Sequence, residues 1–261
     1  MAQRLAIVTG ASSGIGAATA WQLGAMGWRV VPVARRAERL EELAQRIRAA
    51  GGQAHPEALD GADDEAVLAM AARVQERFGA PGAVVNSAGA GEWRWPEDTP
   101  PAAMRRMMGA PFEAAYNTTY GFLRGMLEAG SGVIVHVGSP ASILPWPSAT
   151  AYTCSRWALR GLHEALTQDL AGTGVSSSHI LFGEVSSEYF QANPDSRQHI
   201  PDVGRLIPVS TPAECAEVVV RTIHRPRPVV HHPRMVRVFA ESYRFAPGPM
   251  RWLARATGRR R

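Results

Sequence analysis

Ser139, Tyr152 thirteen residues later and Arg156 four further on are the residues whose types and spacing could move a proton. Positions 152 and 156 stand i and i+4, the separation that puts two side chains on one face of a helix. A phenol in water ionises near pH 10, so acid–base work at neutral pH calls for a neighbouring cation. A unit charge about 4 Å away, at an effective dielectric of about 20, supplies roughly 4 kcal/mol. Arginine brings that charge permanently, but because it stays protonated it cannot itself relay a proton. The chain contains no lysine, and all 28 of its basic residues are arginine.

A second constellation lies near the N-terminus, where the apolar run Leu5–Val8 leads into Thr9-Gly10-Ala11-Ser12-Ser13-Gly14-Ile15-Gly16. Glycines at this spacing let the backbone turn sharply and approach a pyrophosphate, while the following helix offers its N–H groups. About twenty residues beyond Gly16, the second strand ends at Arg35 and Arg36. An acidic residue there would suit a free ribose 2′-hydroxyl, whereas two guanidinium groups suit a 2′-phosphate through charge-assisted hydrogen bonds. The expected cofactor is therefore NADP(H).

The elements that must position these groups alternate along the chain. Strands are predicted at Leu5–Val8, Arg29–Val33, Gln53–Leu59, Ala83–Val85, Val133–Val137 and Val175–Leu181. Helical periodicity separates them, with one long helix expected from Ala102 to Ala129 and another over Tyr152–Leu170. Strand–helix alternation of this kind predicts an α/β fold with a doubly wound parallel sheet, Rossmann-like and a single domain. We expect that domain over residues 1–240, with an irregular substrate lid at about 184–210 containing Pro194, Pro201 and Pro208, and a basic tail over 241–261.

The spacing TGxxxGxG, the segment Asn86-Ser87-Ala88-Gly89 and the order Ser139, Tyr152, Arg156 together resemble the short-chain dehydrogenase/reductase family over roughly residues 5–225. The resemblance implies that Tyr152 exchanges the proton with a carbonyl oxygen, that Ser139 orients that oxygen, and that Arg156 stands where the family has lysine. It implies cofactor contacts from Gly10, Ser12, Ser13, Gly14, Ile15 and Gly16, from Arg35 and Arg36, and from Asn86, Ala88 and Gly89, with Tyr152 and Arg156 at the reacting end. Asp60 matches an aspartate near the adenine, although a helix N-cap is also open to it. Phe182-Gly183-Glu184-Val185-Ser186-Ser187 resembles the turn beside the nicotinamide, through Gly183, Val185 and Ser187. Pro111 falls where the family has asparagine. It lacks an N–H, which frees the carbonyl of Met107 and should kink the long helix. A homodimer or homotetramer through the fourth and fifth helices is also implied.

The expected activity is reduction of a carbonyl, or oxidation of the alcohol, with NADP(H). Two rivals tolerate the changed positions: a non-redox isomerase, cyclase or dehydratase, and a catalytically silent NADP(H)-binding protein. Trp93, Trp95, Trp146, Tyr189 and Phe190 fall in loops at the expected substrate end, which suggests a bulky, apolar small molecule; packing of the loops themselves is the alternative.

Bulk properties bound the rest. The net charge of +5 owes much to Arg255, Arg259, Arg260 and Arg261, so a nucleic-acid partner is not expected. For the tail, a solvated or subunit-contacting role is favoured over contact with an anionic membrane. Two cysteines, Cys154 and Cys215, and no leader-like run before Leu5 fit a cytoplasmic protein. The eight histidines show no metal-binding spacing, and no metal is expected.

Overall fold

A computed structural model describes residues 4–258. Its centre is an eight-stranded sheet in the order β3-β2-β1-β5-β6-β7-β8, with β4 paired to β2. The strands are β1 (Leu5–Thr9), β2 (Arg29–Ala34), β3 (Gln53–Ala54), β4 (Glu57–Ala58), β5 (Ala83–Asn86), β6 (Gly132–Gly138), β7 (Val175–Phe182) and β8 (Val229–His232). Every pairing is parallel. The chain winds outward in opposite directions from β1 and β5, which opens a crevice at their carboxyl ends. The expected third strand is divided in two around Pro56, which has no N–H for a continuous ladder.

Helices cover both faces, as a parallel sheet of buried strands requires. One face carries α1 (Gly14–Ala25), α2 (Ala37–Ala49) and α9 (Pro212–His224), whose Leu23, Leu40, Ile47, Val219 and Ile223 pack on the strands. The opposite face carries α3 (Asp64–Phe78), α5 (Ala114–Glu128) and α6 (Thr150–Asp169), packed through residues such as Met70, Phe122, Met126 and Leu166. Asp63 caps α3 by accepting from the Ala66 N–H at 3.0 Å, so the N-cap that Asp60 was open to falls to its neighbour. At α9, Thr211 and Glu214 form a reciprocal capping box.

The stretch expected as one helix has three parts: α4 (Pro101–Met108), a π turn over Gly109–Glu113, and α5. Pro111 is buried in the π turn, whose wider hydrogen-bond spacing accommodates the missing donor. The connection after β7 contains two one-turn helices, α7 (Tyr189–Ala192) and α8 (Ser196–His199). The boundary placed at residue 240 falls inside α10 (Arg234–Phe245), which is followed by α11 (Pro247–Thr257). Val236, Phe239 and Ala254 from these helices join a third apolar cluster with Trp93, Trp146, Tyr152 and Val203, so the chain's end helps close the carboxyl end of the sheet. Arg259, Arg260 and Arg261, the end of the expected basic tail, lie outside the described residues.

Candidate active site

The glycine-rich turn leaves β1 at Gly10, which takes φ +66° and where a Cβ would lie 2.7 Å from the backbone of Ser87 and Ala88. Only glycine satisfies both the conformation and the contact. A Cβ at Gly16 would lie 2.5 Å from the Gly10 carbonyl oxygen, so the start of α1 also packs tightly on the turn. Thr9, buried beneath, accepts from the N–H groups of Ser87 and Ala88 at 3.1 Å each and donates to the Val85 carbonyl at 3.4 Å. This threonine, passed over in the sequence, ties the two loops of the crevice together. Helix α1 begins after Ser13 with no acidic residue in its first turn, leaving its N–H groups free to meet an anion.

Arg36 reaches over this turn. Its guanidinium donates to Ser13 Oγ at 2.9 Å and to Ser12 Oγ at 3.1 Å, and on its other side to Glu188, in the connection after β7, at 3.3 Å. Arg35 is exposed and lies 4.0 Å from Asp60, whose other oxygen accepts from the Ala62 N–H at 3.1 Å. Arg36 and the two serines are thus drawn together at the glycine-rich turn, whereas Arg35 faces Asp60. Of the Asn86–Gly89 segment, Ala88 and Gly89 border the crevice, whereas the Asn86 side chain is buried and donates to Thr119 Oγ1 at 3.2 Å beside His136 Nδ1 at 3.3 Å.

Ser139 follows the last residue of β6 and caps a short turn, its hydroxyl accepting from the Ala141 N–H at 3.3 Å. Tyr152 and Arg156 lie on the buried stripe of α6. The Arg156 Cζ stands 4.8 Å from the centroid of the Tyr152 ring, so the cation and the phenol form one stacked unit. Two glycines wall that unit. A Cβ at Gly89 would lie 3.2 Å from the Arg156 guanidinium, and one at Gly91 would strike the Tyr152 ring. Gly91 carries no motif signal; only the path of the loop after β5 reveals its part.

The segment 184–210 is pinned at its base by a Val185–Ser210 bridge and by Ser186 N–H to Ser210 carbonyl at 2.9 Å. Gly183 sits under Ile207, and the Ser187 Cβ lies 3.5 Å from where a Cβ of Gly14 would stand, which seats the start of this segment on the glycine-rich turn. Trp93 and Trp146 are buried, with Trp93 5.9 Å from Tyr152 and 6.3 Å from Trp146 between ring centroids. Trp95 is only half-buried beside His199. Tyr189 begins α7, and burial, with the neighbouring Tyr152, raises its pKa above the usual tyrosine value. Among the described residues, no cluster of three or more metal-ligating side chains occurs and no helix is long and apolar enough to cross a membrane.

Comparison with known proteins places this geometry. A family model described as short chain dehydrogenase matches residues 4–198. The 2-(R)-hydroxypropyl-CoM dehydrogenase of Xanthobacter autotrophicus is 33% identical over 233 residues, covering 83% of this chain and 89% of that protein. A short chain dehydrogenase of Pseudocercospora fijiensis is 35% identical over 187 residues, 71% of this chain but only 60% of that relative's length. The crystal structure of a metagenomic short-chain oxidoreductase in complex with NADP matches with a TM-score of 0.74 and 31% identity, covering 87% of this chain and 96% of that one.

Proposed function

The chain belongs to the short-chain dehydrogenase/reductase family and is an oxidoreductase, and from that premise we propose that it uses NADP(H) to reduce the carbonyl of a bulky, largely apolar substrate or to oxidise the corresponding alcohol. The observation that carries the chemistry is the Tyr152–Arg156 stack, walled by Gly89 and Gly91 at the carboxyl end of the sheet. The residues present also fit the cofactor. Gly10 and Gly16 keep the turn bare of side chains at those two positions, α1 has no acidic residue in its first turn, and Arg36 with Ser12 and Ser13 offers the donors a 2′-phosphate needs. Arg35, Asp60, Ala88, Gly183, Val185 and Ser187 would complete the cradle. Bound there, the cofactor supplies or accepts the hydride.

The chain's own residues handle the proton. In the reducing direction Tyr152 gives its phenolic proton to the carbonyl oxygen as that oxygen becomes an alcohol, and Ser139 holds the same oxygen by a hydrogen bond. Arg156 keeps a permanent positive charge over the phenol ring, which stabilises the phenolate left behind. It does so without donating a proton, so the phenolate regains its proton from another source. Trp93 and Trp146 give the reacting end aromatic walls, and Tyr189 and Phe190 lead the lid above it. These support the choice of an apolar substrate.

We assign the active form to a homodimer or homotetramer and place it in the cytoplasm. Support for the assembly comes from α5, which exposes Tyr116 and Tyr120 as a stacked pair, and from the exposed Trp157 on α6. The test is a fluorescence titration with NADPH and NADH, followed by a panel of aryl and alkyl ketones. Micromolar NADPH binding, weaker NADH binding and turnover favouring the bulkier ketones are expected; cofactor binding without turnover of any carbonyl or alcohol would overturn the proposal.

A further inference from the structure

The lid carries an anion on the arginine that the cofactor's phosphate is expected to meet. Glu188 Oε2 accepts from Arg36 at 3.3 Å, and its Oε1 lies 3.9 Å from Arg39. The other nitrogens of the same Arg36 guanidinium engage Ser12 and Ser13. One residue earlier, Ser187 rests on Gly14 of the glycine-rich turn. Glu188 is 152 residues from Arg36 in sequence, so this contact exists only because the lid folds back across the cofactor crevice.

Resting on the NADP(H) reading above, we propose that Glu188 is an intramolecular competitor of the cofactor's 2′-phosphate, holding the head of the lid on Arg36 and Arg39 until that phosphate displaces it. A carboxylate offers one negative charge and two acceptor oxygens. A phosphate monoester offers about −1.5 to −2 and three, so it takes the arginines. The released carboxylate frees the start of α7, which carries Tyr189 and Phe190 over the reacting end. As the cofactor leaves, Glu188 returns to Arg36 and makes rebinding less favourable. It therefore weakens the net binding of NADP(H). A cofactor with a 2′-hydroxyl cannot take the carboxylate's place, so NADH binds beside an intact Arg36–Glu188 pair and is indifferent to it.

Both partners of the pair are partly exposed, with side chains 48% and 44% accessible, so the competition is modest. Removing it should tighten NADPH binding about fivefold, the equivalent of roughly 1 kcal/mol. The experiment measures dissociation constants and release rates of NADPH and NADH for the full chain and for Glu188→Gln, which keeps the side chain's size and removes its charge. The expected result is tighter NADPH binding, with NADH affinity changed less than twofold. Repeating the substitution in an Arg36→Gln background should erase the effect, because the shared arginine is gone. Unchanged or weakened NADPH binding in Glu188→Gln, or equal gains for both cofactors, overturns the latch while leaving the NADP(H) assignment standing. Failure of the unsubstituted chain to bind NADPH overturns that assignment, and the latch with it.

Discussion

The two faces of the sheet are built from different materials. Beneath α1, α2 and α9 the interior is largely apolar, from Ala20 and Leu23 through Ile47 to Val219 and Ile223, broken only locally by buried hydroxyls such as those of Thr19 and Ser178. Beneath α5 and α6 a band of polar side chains interrupts the core. Asn86, His136 and His179 occupy paired positions on β5, β6 and β7, and His163 of α6 reaches down to Ser177 at 2.8 Å. The ring centroids of His136 and His163 are 6.2 Å apart and those of His163 and His179 are 5.5 Å apart. The Nε2 atoms of His136 and His179 and the Oδ1 of Asn86 are buried with no partner among the described residues. Burial first, then the neighbouring imidazole, pushes His136 down to about 3, and burial likewise lowers His163 and His179. The difference teaches that the helix bearing Tyr152 and Arg156 rests on the less robust layer, whose polar groups must stay neutral for the fold to hold.

That contrast can be broken in four ways, taken from the largest effect to the smallest. Acid should strike the polar face. A histidine whose folded pKa lies below its unfolded value binds its proton more readily when unfolded, so its contribution is intact above pH 6.5 and is lost as the pH falls toward the folded value. For His136 the loss runs at about 1.4 kcal/mol per pH unit and reaches roughly 5 kcal/mol at the foot of the window. Urea midpoints at pH 7, 6 and 5 should fall steeply for the natural chain and less so for His136→Gln; parallel slopes would remove His136 as the cause. On the apolar face, Leu23→Ala should cost about 2–5 kcal/mol by the same assay. That cost should be nearly the same at pH 7 and pH 5, since the residues of its cluster are apolar.

Chemistry should separate from stability at α6. Tyr152→Phe is expected to lower kcat/KM for ketone reduction by about 10²-fold or more while moving the urea midpoint little. Arg156→Lys, tested alongside, keeps the charge and should retain most of the rate, whereas a large gain would mean that the arginine impairs the site. The smallest effect belongs to Thr211→Ala, which removes the cap of α9 on the apolar face. It should cost about 1 kcal/mol in the urea assay and leave kcat/KM untouched.

Much of this architecture is legible in the chain. Five of the six expected strands appear where apolar runs put them, because a parallel strand buried on both faces needs an unbroken apolar run; the third is split at Pro56, and β8 was not foreseen. The π turn at Pro111 follows from the missing N–H of one residue. Helices α10 and α11 were harder to foresee. Their arginines and prolines look like a solvated tail, and only docking against Trp146 and Val203 shows what Phe239 and Ala254 are for.

The site divides along the same line. Local pattern by itself determined the glycine turn, the arginines after β2 and the Tyr152–Arg156 pair, since each depends on spacing within one turn or one helix. Tertiary structure alone decided that Gly91 makes room for the Tyr152 ring, that Thr9 ties Ser87 and Ala88 to β1, that three histidines share one layer, and that Glu188 lies on Arg36. Those contacts join residues far apart in the chain. They depend on strand register and on the route of the loops, which no local spacing encodes.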